Sequence, residues 1–427
     1  MNLTCDPVLN MKTFYTKKIT YAEIWTSWCN WHFAPCTLAV VAGPMITTIY
    51  RLTRPADAGE GSFSLAQVAR GILCIAMFIS LYFSGRLHLL GNPIIRPLMF
   101  LAIYAVMTCM IGPYLFENII FTMKLIFTVL VFTCAFHLAQ SKSYSENWLI
   151  GSAWIVLVFM IISQVIGLVT GNTVAYYKSE YATAGVIGAV SVTAALIVST
   201  LPVFLRFFPD SRAALTGVIV LLISLFFTMR RTELLAAIAA ILWVLFSKIN
   251  PFRLQIPFRK VLLVALVLCV LTVIGWRSQA GQDLLNRMDD LNPTKGSGSG
   301  RYIFWRISLN HILNRSIDAQ MLGEGMGSIR DVMYKHFGLA IGSHTELLDM
   351  LYAFGIFGLF TVVWWYLGLI RFVNYLRVSK DPTLQAVSST IVILFIVSIG
   401  QGSLSDASFA LTYAALGFWA GQVHYGG

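Results

Sequence analysis

The chain has 427 residues, a mean hydropathy of +0.75, 57% hydrophobic residues, only 11% charged residues and a formal net charge of +11. Soluble globular domains carry about 25% charged residues, so this composition argues against a soluble protein and for a polytopic α-helical membrane protein. The basic excess is not a nucleic-acid signal, because membrane proteins concentrate Lys and Arg in cytoplasmic loops.

Lys12, Lys17 and Lys18 precede the first apolar run without the short apolar core and small-residue site of a removed signal peptide, so none is expected. Twelve apolar spans are predicted, at about 32–50, 66–84, 97–116, 118–139, 148–169, 184–205, 213–229, 232–247, 261–276, 345–370, 384–402 and 409–425. The seventh, eighth and last are short and need local thinning or shielding by neighbours. Cys74, Cys109, Cys134 and Cys269 fall inside apolar runs and read as small core residues. Between the ninth and tenth spans, TKGSGSG at 294–300 is a flexible stretch. Apolar residues at helical spacing then predict two short amphipathic helices at the membrane surface, at 307–313 and 328–337. The expected fold is thus all-α: residues 1–276 as nine transmembrane helices, 277–344 as a long loop, and 345–427 as three more spans.

Loop charge orients the bundle. With the N-terminus inside, the short inside segments hold fifteen Lys and Arg and the short outside loops five. Both termini are therefore expected in the cytoplasm and the long loop outside, which in a bacterium is the periplasm.

Arg230 and Arg231 break that pattern, sitting in a tight turn between two apolar runs. Charge there is costly and needs a partner. Pairing with Glu233 or snorkelling to phosphates is the structural explanation. An anion site for phosphate or pyrophosphate is the functional one, since a guanidinium grips two oxygens and stays charged. Arg301 follows Gly-Ser-Gly and precedes Tyr302, Phe304 and Trp305, with Arg306 five residues on. Stacking of Arg301 on Trp305 is the structural alternative there. His344 stands where the chain enters the tenth span, with Ser343 expected to cap that helix and Glu346 to complete a capping box. An imidazole there suits proton abstraction near neutral pH. Asp349 follows just over one turn later, an acid for pairing or orientation. The chain has no Walker A, GxGxxG or HExxH sequence and no Asp-x-Asp, so neither a nucleotide loop nor a metal cage is expected.

In their order these pieces resemble the bacterial O-antigen polymerase and O-antigen ligase superfamily. The resemblance covers about Thr228 to Gly358. TMRRTELLA aligns Arg231-Thr232 with the family's Ser-Arg-Gly/Thr turn, Arg230 replacing the usual Ser. Gly300-Arg301 with Trp305 fits a Ser-Gly-Arg segment before Trp, and Gly323 and Gly325 fit a loop Gly-x-Gly. His344 followed by Gly355-Ile356-Phe357-Gly358 fits a His and a helix ending in Gly-(Ile/Leu)-x-Gly. The resemblance implies an inverting, metal-independent glycosyltransferase without a cofactor in the bacterial cytoplasmic (inner) membrane. Its donor would be a glycan on undecaprenyl pyrophosphate. Its partners would be membrane lipids, a lipid-linked acceptor and chain-length regulator proteins. Arg231 and Arg301 would hold the pyrophosphate, with Arg230 or Arg306 assisting, and His344 would take the acceptor's proton. The HTELLD run is closer to the polymerase branch, which extends another lipid-linked repeat unit, than to ligases, which use lipid A core. A secondary transporter or flippase is the rival class. The long loop after the ninth span disfavours it, since it interrupts any six-plus-six symmetry.

Overall fold

A computed structural model of the chain describes residues 35–42, 45, 65–109, 114–140, 146–170, 190–208, 211–247, 301–338, 342–343, 345–400 and 407–425. The expected span at 261–276, the 294–300 stretch and His344 lie outside these residues. The described part contains helices, turns and no strand. We number the helices α1 (Leu65–Phe83), α2 (Arg96–Cys109), α3 (Leu115–Gln140), α4 (Asn147–Val169), α5 (Val190–Ser199), α6 (Leu201–Phe207), α7 (Arg212–Phe227) and α8 (Arg231–Ser247). The loop segment supplies α9 (Arg301–Leu313), α10 (Ile317–Leu322) and α11 (Ser328–Phe337), and the chain continues in α12 (Glu346–Val378), α13 (Leu384–Gly400) and α14 (Ala410–Gln422).

Among the described residues, four segments are long and apolar enough to cross a membrane: α3, α4, the continuous run Val190–Phe207 through α5 and α6, and α12. Helices α1, α2, α7 and α13 are apolar but shorter. Each expected apolar run whose residues are all described overlaps a helix, and the described part of 184–205 falls on α5 and α6. The expected helix at 328–337 is α11, and the one at 307–313 starts earlier, as α9. The α5–α6 run breaks at Thr200, just before Pro202, whose missing N–H interrupts the helical ladder.

Packing follows from side-chain size and from where apolar groups can go. Helix α14 is buried along its length and lies closest to α3. A Cβ at Gly417 would stand 2.2 Å from the Phe132 carbonyl oxygen, and one at Gly421 2.3 Å from that of Phe136. This small-xxx-small pair lets the two backbones touch, as membrane helices do when lipid offers no hydrophobic drive for association. Buried polar groups are paired between helices: Gln164 of α4 donates to the Ser224 carbonyl at 3.1 Å and accepts from the Ser224 hydroxyl in α7. The outward faces carry Ile72, Ile75, Phe83, Ile103 and Met107, all more than half exposed. A belt of this kind is stable against acyl chains and not against water.

Filling the α3–α14 contact tests this arrangement. Gly417→Val should lower the thermal midpoint of the detergent-purified protein by several degrees. Overpacking of this sort costs about 1–3 kcal/mol, measured against a Gly→Val change at the open position Gly91.

Candidate functional site

Helix α12 is not continuous. Gly355 adopts φ 61° and ψ −154°, which breaks the helix one turn after Leu351. In a membrane bundle the carbonyls before such a break need new donors. They receive them from the loop. The Gly325 N–H donates to the Ala353 carbonyl at 2.8 Å and the Glu324 N–H to the Tyr352 carbonyl at 3.4 Å. Gly323 (φ 77°) and Gly355 face each other across this junction. A Cβ on Gly323 would stand 2.2 Å from the Ala353 oxygen, and one on Gly355 2.3 Å from the Met321 oxygen. Both the positive φ and the close approach demand glycine.

Three tethers, from α2, from α3 and from the residue just before α3, surround the junction. The Met326 N–H donates to Oδ1 of Asn118, fully buried in α3, at 2.8 Å. The Tyr104 hydroxyl of α2 donates to the Leu322 carbonyl at 2.9 Å. The Tyr114 hydroxyl donates to Asp331 of α11 at 2.6 Å. Burial, then the Asp331 carboxylate, push the Tyr114 phenol well above its ordinary value, so it stays a donor.

Arg315, just after α9, ties the junction together. Its Nη1 donates to the Tyr352 carbonyl at 3.1 Å, its Nη2 meets Glu324 at 2.8 Å, and its guanidinium carbon lies 3.4 Å from the centre of the Tyr352 ring. Its Nε donates to Nδ1 of His311 at 3.3 Å, and the Tyr352 hydroxyl stands 2.7 Å from the same nitrogen. Guanidinium nitrogens only donate, so Nδ1 accepts both bonds and the ring proton sits on Nε2. Burial first, then the Arg315 charge, lower the His311 pKa, with Glu324 opposing. Sequence reasoning missed this cluster. Its one signal was the four-residue spacing of His311 and Arg315, which puts them on one side of a helix.

The residues singled out from the sequence fall into two groups. In the first, Arg230 ends the turn before α8 and Arg231 opens that helix, both half-buried. Arg230 Nε and Nη2 bond to Glu233, which is completely buried, at 3.2–3.3 Å. Cations at a helix N-terminus oppose the helix dipole, and Glu233 in the first turn offsets this. The preceding Met229 is held at φ 53°. A Cβ on Gly400, at the end of α13, would stand 2.2 Å from the Thr232 side chain.

Two residues back along α13, Ser398 donates to the buried Glu346 of α12 and bonds the Tyr366 hydroxyl at 2.8 Å. The end of α13 therefore joins the arginine turn to the entry of α12. The expected capping box is not formed. Thr345 is the N-cap, Ser343 Oγ accepts from the Thr345 N–H at 3.3 Å, and Glu346 is engaged by Ser398. The buried α12–α13 partner outcompetes the local bond. Asp349 accepts from the Ser343 N–H at 2.9 Å and so fixes the backbone one residue before position 344. Arg330, exposed on α11, acts electrostatically on Asp349, a neighbour the sequence did not reveal.

The second group lies on α9, which begins at Arg301. Trp305, one turn on, is partly buried, and its Nε1 has no hydrogen-bond partner among the described residues. Arg306 is exposed. The described contacts do not bring this group onto the arginine turn. It is tied instead to α12 through His311 and Arg315. The described residues contain no group of three His, Cys, Asp or Glu side chains spaced to hold a metal.

Residues 216–363 match the sequence model of a family described as O-antigen ligase. That stretch runs from within α7 to within α12 and contains the arginine turn, α9 to α11 and the Gly355 break. No curated protein matches the chain. The span-length helices mark an integral membrane protein, and its 216–363 region is similar to glycosyltransferase-like enzymes of lipopolysaccharide assembly.

Gly323→Ala tests the docking of the loop. Steric conflict with the Ala353 backbone and the positive φ should together undock 323–326. Limited proteolysis of the purified protein should then cut between α10 and α11 at least several times faster than in wild type.

Proposed function

We propose that the protein is a polymerase for O-antigen or a related surface polysaccharide. It moves a glycan from undecaprenyl pyrophosphate to a sugar hydroxyl of another lipid-linked repeat unit. It does so at the outer face of the bacterial cytoplasmic membrane, with both termini in the cytoplasm and α9 to α11 in the periplasm. Chain-length regulator proteins are its expected protein partners. One observation carries the reading: the arginine turn and the entry to α12, both inside the stretch similar to the O-antigen ligase family, meet through the end of α13, which follows that stretch.

The roles follow from charge and placement. The reaction breaks the bond between the anomeric carbon and the pyrophosphate oxygen and forms one to the acceptor oxygen, with inversion. Arg231 and Arg301 stabilise the negative charge left on the departing pyrophosphate, and Arg230 or Arg306 adds to the field. His344 takes the acceptor's proton. Trp305 offers its unused indole N–H to a sugar or phosphate oxygen. Asp349 acts on the substrate site through the Ser343 backbone it holds. Arg230, Arg231 and Glu233 together carry one net positive charge, which suits an anionic leaving group. The proposal needs no metal, in keeping with the lack of an Asp-x-Asp sequence. A second reading is transfer to lipid A core, since the matching family is described as O-antigen ligase.

Reconstitution separates these readings. The purified protein with undecaprenyl-pyrophosphate repeat units, without metal or nucleotide, should give a ladder of longer lipid-linked glycans by gel and mass spectrometry. Arg231→Ala and His344→Ala should each reduce it by about 100-fold or more, the scale of losing a catalytic base or a charge-stabilising donor. Transfer only when lipid A core is supplied means a ligase. No new glycosidic bond with either acceptor means that the glycosyltransferase reading is wrong.

A further inference from the structure

The proposed chemistry needs Arg301 and the entry of α12 at a fixed spacing, yet they belong to different helices separated by a long loop. We propose that Arg315 is a positioning residue for the transfer reaction: clamped on the broken end of α12, it sets how α9, and with it Arg301, stands relative to the α12 entry. This rests on the function proposed above.

The geometry supports a latch. Arg315 is nearly buried, at 4% side-chain exposure, and engages three elements at once: α9 through His311, the 323–325 segment through Glu324, and α12 through the ring and carbonyl of Tyr352. Gln320 adds two bonds from α10, to the Leu313 and Arg315 carbonyls at 3.2 and 3.1 Å. Tyr352 itself is fully buried, so its ring offers a rigid platform. Along α9, His311 lies about 15 Å from Arg301 at the usual helical rise. A tilt of about 10° at the latch therefore shifts the start of α9 by roughly 2–3 Å. Misplacements of about 1 Å at a reacting centre cost on the order of 100-fold in rate.

Apolar packing also holds these helices. Ile312, Ile329, Val332, Met333 and Tyr352 form a small separate core. Such packing is non-directional, and the planar guanidinium with its fixed fork supplies orientation. If the apolar core alone sets the spacing, removing the guanidinium leaves the spacing unchanged.

The latch also has a chemical release. His311 Nδ1 accepts from both Arg315 and Tyr352, so a proton on that nitrogen removes both bonds and places a cation beside Arg315. The groups acting on the ring are Tyr352, Arg315, Glu324, Lys335 and His336. Since its pKa is lowered in the latched state, the latch is complete above the ordinary histidine value of 6.5 and weakens as pH falls below it.

Three variants of the full-length protein test this. Arg315→Gln and Tyr352→Phe should speed amide exchange of the 317–329 peptides by about tenfold or more. Arg315→Gln should also lower kcat by about 10- to 100-fold with KM for the lipid-linked donor nearly unchanged. His311→Asn, which keeps an acceptor near the Nδ1 position but cannot be protonated, should retain wild-type exchange at pH 7. It should also lose the extra exchange that wild type gains between pH 7 and pH 5 after correction for the intrinsic rate. The exchange readout is needed because the activity profile also carries His344. Unchanged exchange in Arg315→Gln, an unchanged kcat, or the same acid response in His311→Asn overturns the proposal. Faster exchange in the variants of a protein that forms no glycosidic bond would keep the latch and discard the function it is proposed to serve.

Discussion

The break in α12 at Gly355 is the constraint on which the site depends. A helix interrupted inside a membrane bundle leaves backbone carbonyls that water cannot reach, each costing several kcal/mol if unmet. The loop resolves this by laying the Gly323–Gly325 segment across the break, so that loop N–H groups take the place of the lost helical donors. The exchange works in both directions. The helix gains its missing bonds, and a loop that would otherwise be free in solvent gains a fixed seat. Arg315, Asn118, Tyr104 and Tyr114 act on the same seat from four directions, using mostly hydrogen bonds to backbone or carboxylate. None of these contacts is large alone, at about 0.5–1.5 kcal/mol net for a neutral bond and more where Arg315 or Asp331 is involved.

This arrangement explains why glycines recur where they do. The spacing of Gly323, Gly325 and Gly355 is visible in the sequence as a pattern, but the sequence does not say that two of them touch. Three-dimensional contact turns the Gly-x-Gly of the loop and the glycine of the helix into two halves of one junction. Their role is to let backbone meet backbone, and any chemistry at the site depends on that meeting without being performed by it.

Legibility from sequence tracked the range of the interactions involved. The helices follow from apolar runs and their periodicity, so α3, α4, α11 and α13 lie within a few residues of expectation, and Arg230 pairs with Glu233 three positions away, within local reach. Short-range logic failed where a long-range partner was stronger. Glu346 leaves the capping role because Ser398 offers a buried bond across to α13. Helix α10 went unforeseen because only six residues form it and its Gln320 contacts stabilise it against the end of α9. His311, Arg315, Glu324 and Tyr352 span 41 positions, and no local pattern announces that they converge.

The arginines of the chain thus divide by environment. Arg230 is bonded to a buried carboxylate and Arg315 to a carboxylate, a carbonyl and a ring, so both carry the energetic burden of desolvation through fixed partners. A guanidinium so committed holds architecture, and any field it adds at a neighbouring site acts from a fixed position. Arg306 and Arg330 stand exposed, where a charged ligand can reach them but water screens their fields. Arg231 is intermediate: half-buried at a helix start, next to the Thr232–Gly400 contact and one residue from the Arg230–Glu233 pair. A cation in that setting is shielded enough to act strongly and is held by the turn that bears it. On this division of labour Arg230 and Arg315 build the frame, and the charge stabilisation proposed for the departing pyrophosphate would draw on Arg231, at the α8–α13 contact, together with Arg301 at the start of α9.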